Sequence, residues 1–173
     1  MKTITESLNE ALKDSDKGVI QMLQFFGQNC SGCQQQLYQQ MVKDADSVDI
    51  VSVYDIFTEE EIQEIKKYVR PKPKMCYENA YKLADILYKR DIKYVEGYLN
   101  MKGLPIEHAF NCVDGKYCDI TIELALGRDV HEDTYIKIGE WDVNDVRKVL
   151  IQNGYYGQIY QTKFLNSYKE NIK

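Results

Sequence analysis

A thiol, an imidazole and a carboxyl, met in that order along the chain, can together break a carbonyl–nitrogen bond: Cys76, His108 and Asp119. A cysteine thiolate is a nucleophile. An imidazole can take the thiol proton and later hand it to a leaving amine, and a carboxylate can hold that ring in one tautomer. Each group needs an element to aim it, and the residues around each one say which.

Pro71 and Pro73 precede Cys76. Proline blocks helix continuation and disfavours helical geometry in the residue before it, so a fresh helix starts at about Lys74. Cys76, Ala80, Leu83, Ala84 and Leu87 then recur at helical spacing. This puts Cys76 in the first turn, on the stripe that faces the core. Unpaired N–H groups and the positive end of the helix dipole favour a thiolate there.

The other two groups sit on a predicted hairpin. Asp114-Gly115 between alternating runs suits a type I′ turn. Pairing Val113 with Lys116 sets Cys112 against Tyr117, Phe110 against Asp119 and His108 against Thr121. His108 and Asp119 then share one face as diagonal neighbours, with backbones about 7–8 Å apart. Asp114 belongs to the turn, and Glu107 points to the face opposite His108, so both are poorer partners. In the same register Cys112 lies on the His108 face and Cys118 on the other, which disfavours a disulfide between them.

The run from Cys76 through Ala80 and Leu83 to Tyr94-Val-Glu-Gly-Tyr-Leu, followed by His108-Ala-Phe-Asn and Asp119-Ile-Thr, resembles the transglutaminase-like branch of the papain-like cysteine enzymes. Phe110 stands where that family has Trp, and Ile120 where it has Pro. The resemblance implies an α+β fold, with a Cys-bearing helix packed on an antiparallel sheet. It implies Cys76 as nucleophile, His108 as base and Asp119 as orienting acid, with no cofactor and no metal. The activity implied is acyl transfer through a covalent acyl-enzyme, on a protein, peptide or small amide. Hydrolysis is the simplest outcome, because water needs no second binding site. No side chain is identified for an oxyanion hole; the backbone N–H of Cys76 is the donor expected there.

Composition fits this frame. The 173 residues are 44% hydrophobic and 28% charged, enough for one or at most two domains with a substantial core. The expected division is a mostly helical N-terminal extension, 1–70, packed on a catalytic core, 71–173. A net charge of −5 argues against a general nucleic-acid binder. No apolar run suits a membrane helix, and the polar, acidic start of the chain is unlike a secretory signal. A cytoplasmic protein with five reduced cysteines is the expectation.

Other stretches carry weaker signals. Residues 5–12 suit a short amphipathic helix. Residues 19–26 read as a strand before Cys30-Ser-Gly-Cys33 and a helix over 34–43, similar to a thioredoxin-like redox start, with 49–54 as a next strand. The same thiols could supply half of a zinc site, or the stretch is helical throughout. A redox or zinc protein, or a non-catalytic binding module on the same fold, are therefore the competing functions. Thr58 and Glu61 form a predicted capping box for a helix to about Val69. Arg70, Lys72 and Lys74 in the linker either meet an acidic substrate or only keep it soluble. Gly97 within the strand 94–99 marks a bulge or close approach, and Glu96 either polarises a substrate or, more ordinarily, faces water. A loop is expected over 100–105 and a solvated His131 in a polar loop. A strand is expected at 135–138, a helix over 141–153 stopped by Gly154, and a last strand at 155–160.

Overall fold

The computed structural model describes residues 15–87 and 89–171; the helix expected at 5–12 lies outside them. The fold is α+β. Helices α1 (Ser15–Asn29) and α2 (Gly32–Asp44) form a hairpin, followed by the short strand β1 (Asp46–Val48). Helix α3 (Glu59–Glu64) runs on into a wide π turn, Ile65–Val69. Then come α4 (Cys76–Ile86), the strands β2 (Ile92–Met101), β3 (Leu104–Val113) and β4 (Lys116–Cys118), β5 (Thr134–Asp142), and helices α5 (Val143–Asn153) and α6 (Ile159–Glu170). The sheet is antiparallel throughout, in the order β1-β5-β2-β3-β4. The chain leaving β1 at one edge bonds β4 at the other, where Val51 N–H donates to the Tyr117 carbonyl at 2.8 Å. The sheet is therefore strongly curled. Among the described residues no helix is long and apolar enough to cross a membrane.

Alternation along the strands decides what each face carries. Tyr94, Ala109 and Val113 face α4 and the C-terminal helices, packing with Ala80, Leu83, Val146 and Ile159. Val95, Leu99, Phe110 and Cys112 face the other way, onto Ile122, Val130 and Tyr135. The α1–α2 hairpin covers Tyr98, Ile136 and Ile138 with Val19, Leu23, Leu37 and Met41.

Four segments differ from the sequence expectation. Residues 19–26 are helical, not a strand: Val19 and Leu23, one turn apart, are buried, while Phe25 is 60% exposed. The helical alternative for this stretch holds, and the strand of a thioredoxin-like start is absent. The chain over 49–54 forms one bridge and a 3-10 turn (Val53–Asp55), the strand having ended at Val48. No strand forms over 155–160: residues 155–158 are a turn and Ile159 and Tyr160 begin α6, whose first N–H groups are bonded by a distant side chain described below. The loop expected over 100–105 is also shorter. Lys102 and Gly103, at φ 51° and 89°, make a tight turn that lets β2 and β3 pair from end to end.

The capping box is present: Thr58 accepts from the Glu61 N–H at 3.2 Å, and Glu61 accepts from the Thr58 N–H at 2.9 Å. Gly97 marks both a bulge and a close approach. The β2–β5 register shifts between Glu96 and Gly97, and a Cβ on Gly97 would lie 1.9 Å from the Ile136 carbonyl oxygen. That obstacle is backbone, so relief requires separating two central strands. Gly97→Ala is expected to cost about 3 kcal/mol, read as a lower urea midpoint at unchanged slope.

Candidate active site

Cys76 is the first residue of α4, with Met75 as its N-cap. Met75 supplies no side-chain cap, so the first N–H groups of the helix are left to other partners. The prolines turn the preceding segment, and Lys74 adopts a left-handed φ of 63° to enter the helix. Asn79 fixes this entry. Its Oδ1 accepts from the Lys72 N–H at 3.1 Å, and its Nδ2 donates to the Lys72 carbonyl at 2.8 Å and to Thr121 Oγ1 at 3.0 Å. Asn111 ties the helix to the sheet one strand face away, donating to the carbonyls of Ala80 at 2.9 Å and Lys93 at 3.1 Å. Sequence reasoning missed both residues. Asn in a helix interior, one turn after the cysteine, was the available signal.

His108 lies on β3 beyond the point where β4 stops, since β4 ends with Cys118 opposite Asn111. The expected pairs Phe110–Asp119 and His108–Thr121 therefore do not form, although Val113–Lys116 and Cys112–Tyr117 do. Instead the chain turns at Asp119 into the helical turn Thr121–Ala125. Asp119 Oδ1 accepts the N–H groups of Thr121 and Ile122 at 2.8 and 3.2 Å. That leaves Oδ2 for His108 Nε2 at 2.6 Å and for the Tyr135 hydroxyl, which donates at 3.0 Å. Asp119 is 0% exposed and His108 5%. Tyr135, a strand tyrosine with no sequence signal of this role, is a further positioning group.

With Nε2 committed to Asp119, Nδ1 is the nitrogen left for Cys76, whose half-buried thiol is near enough to the ring to help raise its pKa. The three residues expected to act together are thus brought together. Burial by itself would lower the His108 pKa. The Asp119 charge and hydrogen bond, with the Cys76 contact, outweigh burial and push it up to about 10. This has a measurable consequence in Cys76→Ala, where the thiol's own titration is removed. A ring raised above its ordinary 6.5 holds in the native state a proton the unfolded chain has lost. Its stabilisation is complete below that value and drains as pH rises toward the folded one. From pH 7 to 8.5, unfolding free energy in Cys76→Ala should fall by up to about 1.4 kcal/mol per pH unit. Adding His108→Gln should flatten the slope. The buried thiols of Cys112 and Cys118, both raised by burial, add losses of the same sign only at higher pH.

Other candidates fall outside this centre. Cys30, in the turn between α1 and α2, and Cys33, in the first turn of α2, are free and half-buried, and Cys112 and Cys118 are free and buried. Among the described residues no group of three or more His, Cys, Asp or Glu side chains is placed to hold a metal ion. His131 is in an exposed turn with Asp129, at 2.8 Å. Glu96 does not face water: it is 4% exposed, and accepts from the Tyr94 hydroxyl at 2.8 Å and the N–H groups of Ile159 and Tyr160 at 3.0 and 2.9 Å. Comparison of the chain with family models, curated proteins and solved structures finds no match.

Proposed function

We propose that the chain is a cysteine-dependent acyl-transfer enzyme that hydrolyses an amide bond in a protein, peptide or small amide, on a papain-like fold of the transglutaminase-like branch. One observation carries this: a thiol at the first position of a helix lies beside an imidazole whose far nitrogen is held at 2.6 Å by a fully buried carboxylate. In the reaction, the Cys76 thiolate attacks the carbonyl carbon. The developing oxyanion meets the uncapped N–H groups at the start of α4. The carbon–nitrogen bond breaks as the His108 imidazolium gives its Nδ1 proton to the leaving amine. Water, losing a proton to Nδ1, then attacks the thioester, and the thiolate departs. Asp119 keeps the ring oriented through both halves. The chemistry uses no cofactor, and five free thiols fit a reducing, cytoplasmic setting.

The test is covalent trapping. With a p-nitrophenyl ester, intact mass should rise by one acyl group placed on Cys76 by peptide mapping. Iodoacetamide should label Cys76 ahead of the other four cysteines and block the adduct. No adduct, with uniform labelling of all cysteines, would leave a binding module without catalysis.

A further inference from the structure

The strand that carries His108 has an open edge. The turns that bound β3 fix where its backbone groups point. Lys102-Gly103 and Asp114-Gly115 are two-residue turns with positive φ at both positions. The residues flanking such a turn, Met101 with Leu104 and Val113 with Lys116, exchange both backbone hydrogen bonds. Leu104 therefore bonds β2, and Val113 bonds β4. By alternation, 104, 106, 108, 110 and 112 turn their N–H and C=O groups to β2, and 105, 107, 109, 111 and 113 turn theirs to the β4 side. Each turn gives this assignment independently. β4 reaches only to Cys118, opposite Asn111. The Pro105 carbonyl and both backbone groups of Glu107 thus lie beyond its end, and among the described residues no other strand pairs with them. Leu104 is 64% exposed and Ile106 38%, and both side chains alternate onto the face of His108.

An exposed apolar edge invites another strand. Pro105 limits what can pair with it. Its missing N–H falls on the open side, where no ladder bond is lost. The edge before His108 therefore offers one donor, at Glu107, and two carbonyls. That is a short ladder, suited to a few residues of an extended chain rather than to a sheet continued through a second copy. The thiol lies just past it. Asn111 bonds the Ala80 carbonyl, and Cys76 lies one turn before Ala80, about 6 Å or two strand residues back toward Ala109. β3 from Leu104 to Glu107 consequently extends beyond the start of α4, as a rail leading to the thiol.

We propose that the substrate is an extended polypeptide that adds as a short strand to the open edge of β3. It bonds the Glu107 N–H and the carbonyls of Glu107 and Pro105, and its next residues carry the scissile amide to Cys76. The assignment to substrate rests on the reading of Cys76 as nucleophile; the strand pairing does not. The bonds are to backbone, so they select a peptide over a small amide, and Leu104 and Ile106 favour apolar side chains opposite them. The Glu107 side chain has no part in the pairing.

Amide hydrogen exchange in isotope-labelled, full-length Cys76→Ala measures the pairing by NMR. In the free chain the Ile106 and His108 amides should exchange slowly and the Glu107 amide fast. A mixed-sequence pool of acetylated hexapeptide amides, at twice its dissociation constant, should slow the Glu107 amide about threefold. The same pool N-methylated at every residue should not. Glu107→Pro, which removes the donor, should abolish the peptide-induced shifts of Leu104 and Ile106, and Glu107→Gln should keep them. No slowing by the pool, or equal slowing by the methylated pool, overturns the proposal. Slowing that needs no peptide and grows with protein concentration would give the edge to a second copy and overturn it as well. In the unsubstituted chain the pool should also slow iodoacetamide alkylation of Cys76; pairing at Glu107 with alkylation unchanged overturns the assignment to substrate. Pairing in a chain whose Cys76 is not labelled ahead of the other cysteines would sink acyl transfer and leave a peptide-binding edge standing. Preferential labelling without pairing would do the reverse.

Discussion

Asp119→Asn should lower the rate of Cys76 acylation by about 10³-fold or more while leaving the chain folded. Asn keeps one carbonyl oxygen, and the backbone decides where it goes. The N–H groups of Thr121 and Ile122 can only donate, so they hold that oxygen in the place of Oδ1. The amide nitrogen then occupies the place of Oδ2, facing His108 Nε2. An amide N–H needs an acceptor, so Nε2 must be unprotonated and the ring proton moves to Nδ1. Nδ1 is the nitrogen that faces the thiol, and once it carries the proton of a neutral ring it cannot take another from sulfur. The stability cost has two parts: the Tyr135 hydroxyl loses its acceptor, about 1 kcal/mol, and the native chain loses the charge that holds the extra proton on His108 near neutral pH. Alkylation against pH separates this from misfolding. Hydroxide generates thiolate without the imidazole, so labelling of Cys76 in the variant should recover by pH 10 if the cleft is intact. A variant acylating within threefold of the parent would remove Asp119 from the mechanism.

The meeting of these residues was legible in part, for reasons that differ residue by residue. The helix start at Cys76 was readable because prolines and apolar spacing are local signals. The Asp114-Gly115 turn was readable because φ of 49° and 81° demand such residues. Their register carried His108 and Asp119 toward each other, yet the route differed: β4 stops early because Asp119 spends one oxygen capping the turn that follows. Asn79 was marked only by its type in a helix, and its bond to Thr121, like that of Tyr135 to Asp119, spans 42 or 16 residues to a partner no local pattern names. The same holds for the helix at 19–26. Its short apolar run is ambiguous between strand and helix, and only burial of Val19 and Leu23 against the sheet selects the helical face.

Glu96→Ala should cost about 4 kcal/mol of stability, the largest loss expected of any substitution considered. Glu96 caps the helix formed by residues 159–170. Gln158 enters that helix with a left-handed φ of 57° and provides no side-chain cap. The first two N–H groups of α6 are bonded instead by Glu96, 63 residues earlier. The carboxylate's negative charge sits at the positive helix end. Truncation leaves those two donors and the Tyr94 hydroxyl unpaired in a site sealed by Ile159 and Tyr94, both 0% exposed. Relief of the carboxylate's own burial returns part of that cost.

Glu96→Gln separates the two contributions. Its amide oxygen can serve the Tyr94 hydroxyl and the Ile159 N–H, but its NH₂ opposes the Tyr160 N–H, so about 1–2 kcal/mol should be lost at neutral pH. Burial raises the Glu96 carboxyl above its ordinary range, against the pull of three hydrogen-bond donors. The stability belonging to a raised acid is present below its ordinary pKa and lost as pH rises through the folded one. Parent minus Glu96→Gln stability should therefore decline as pH rises above about 4.5, a sign opposite to that of the surface carboxylates held low by partners, such as Asp114. Unfolding of Glu96→Ala at the parent's urea midpoint would mean that Ile159 and Tyr160 hold the helix by apolar burial alone.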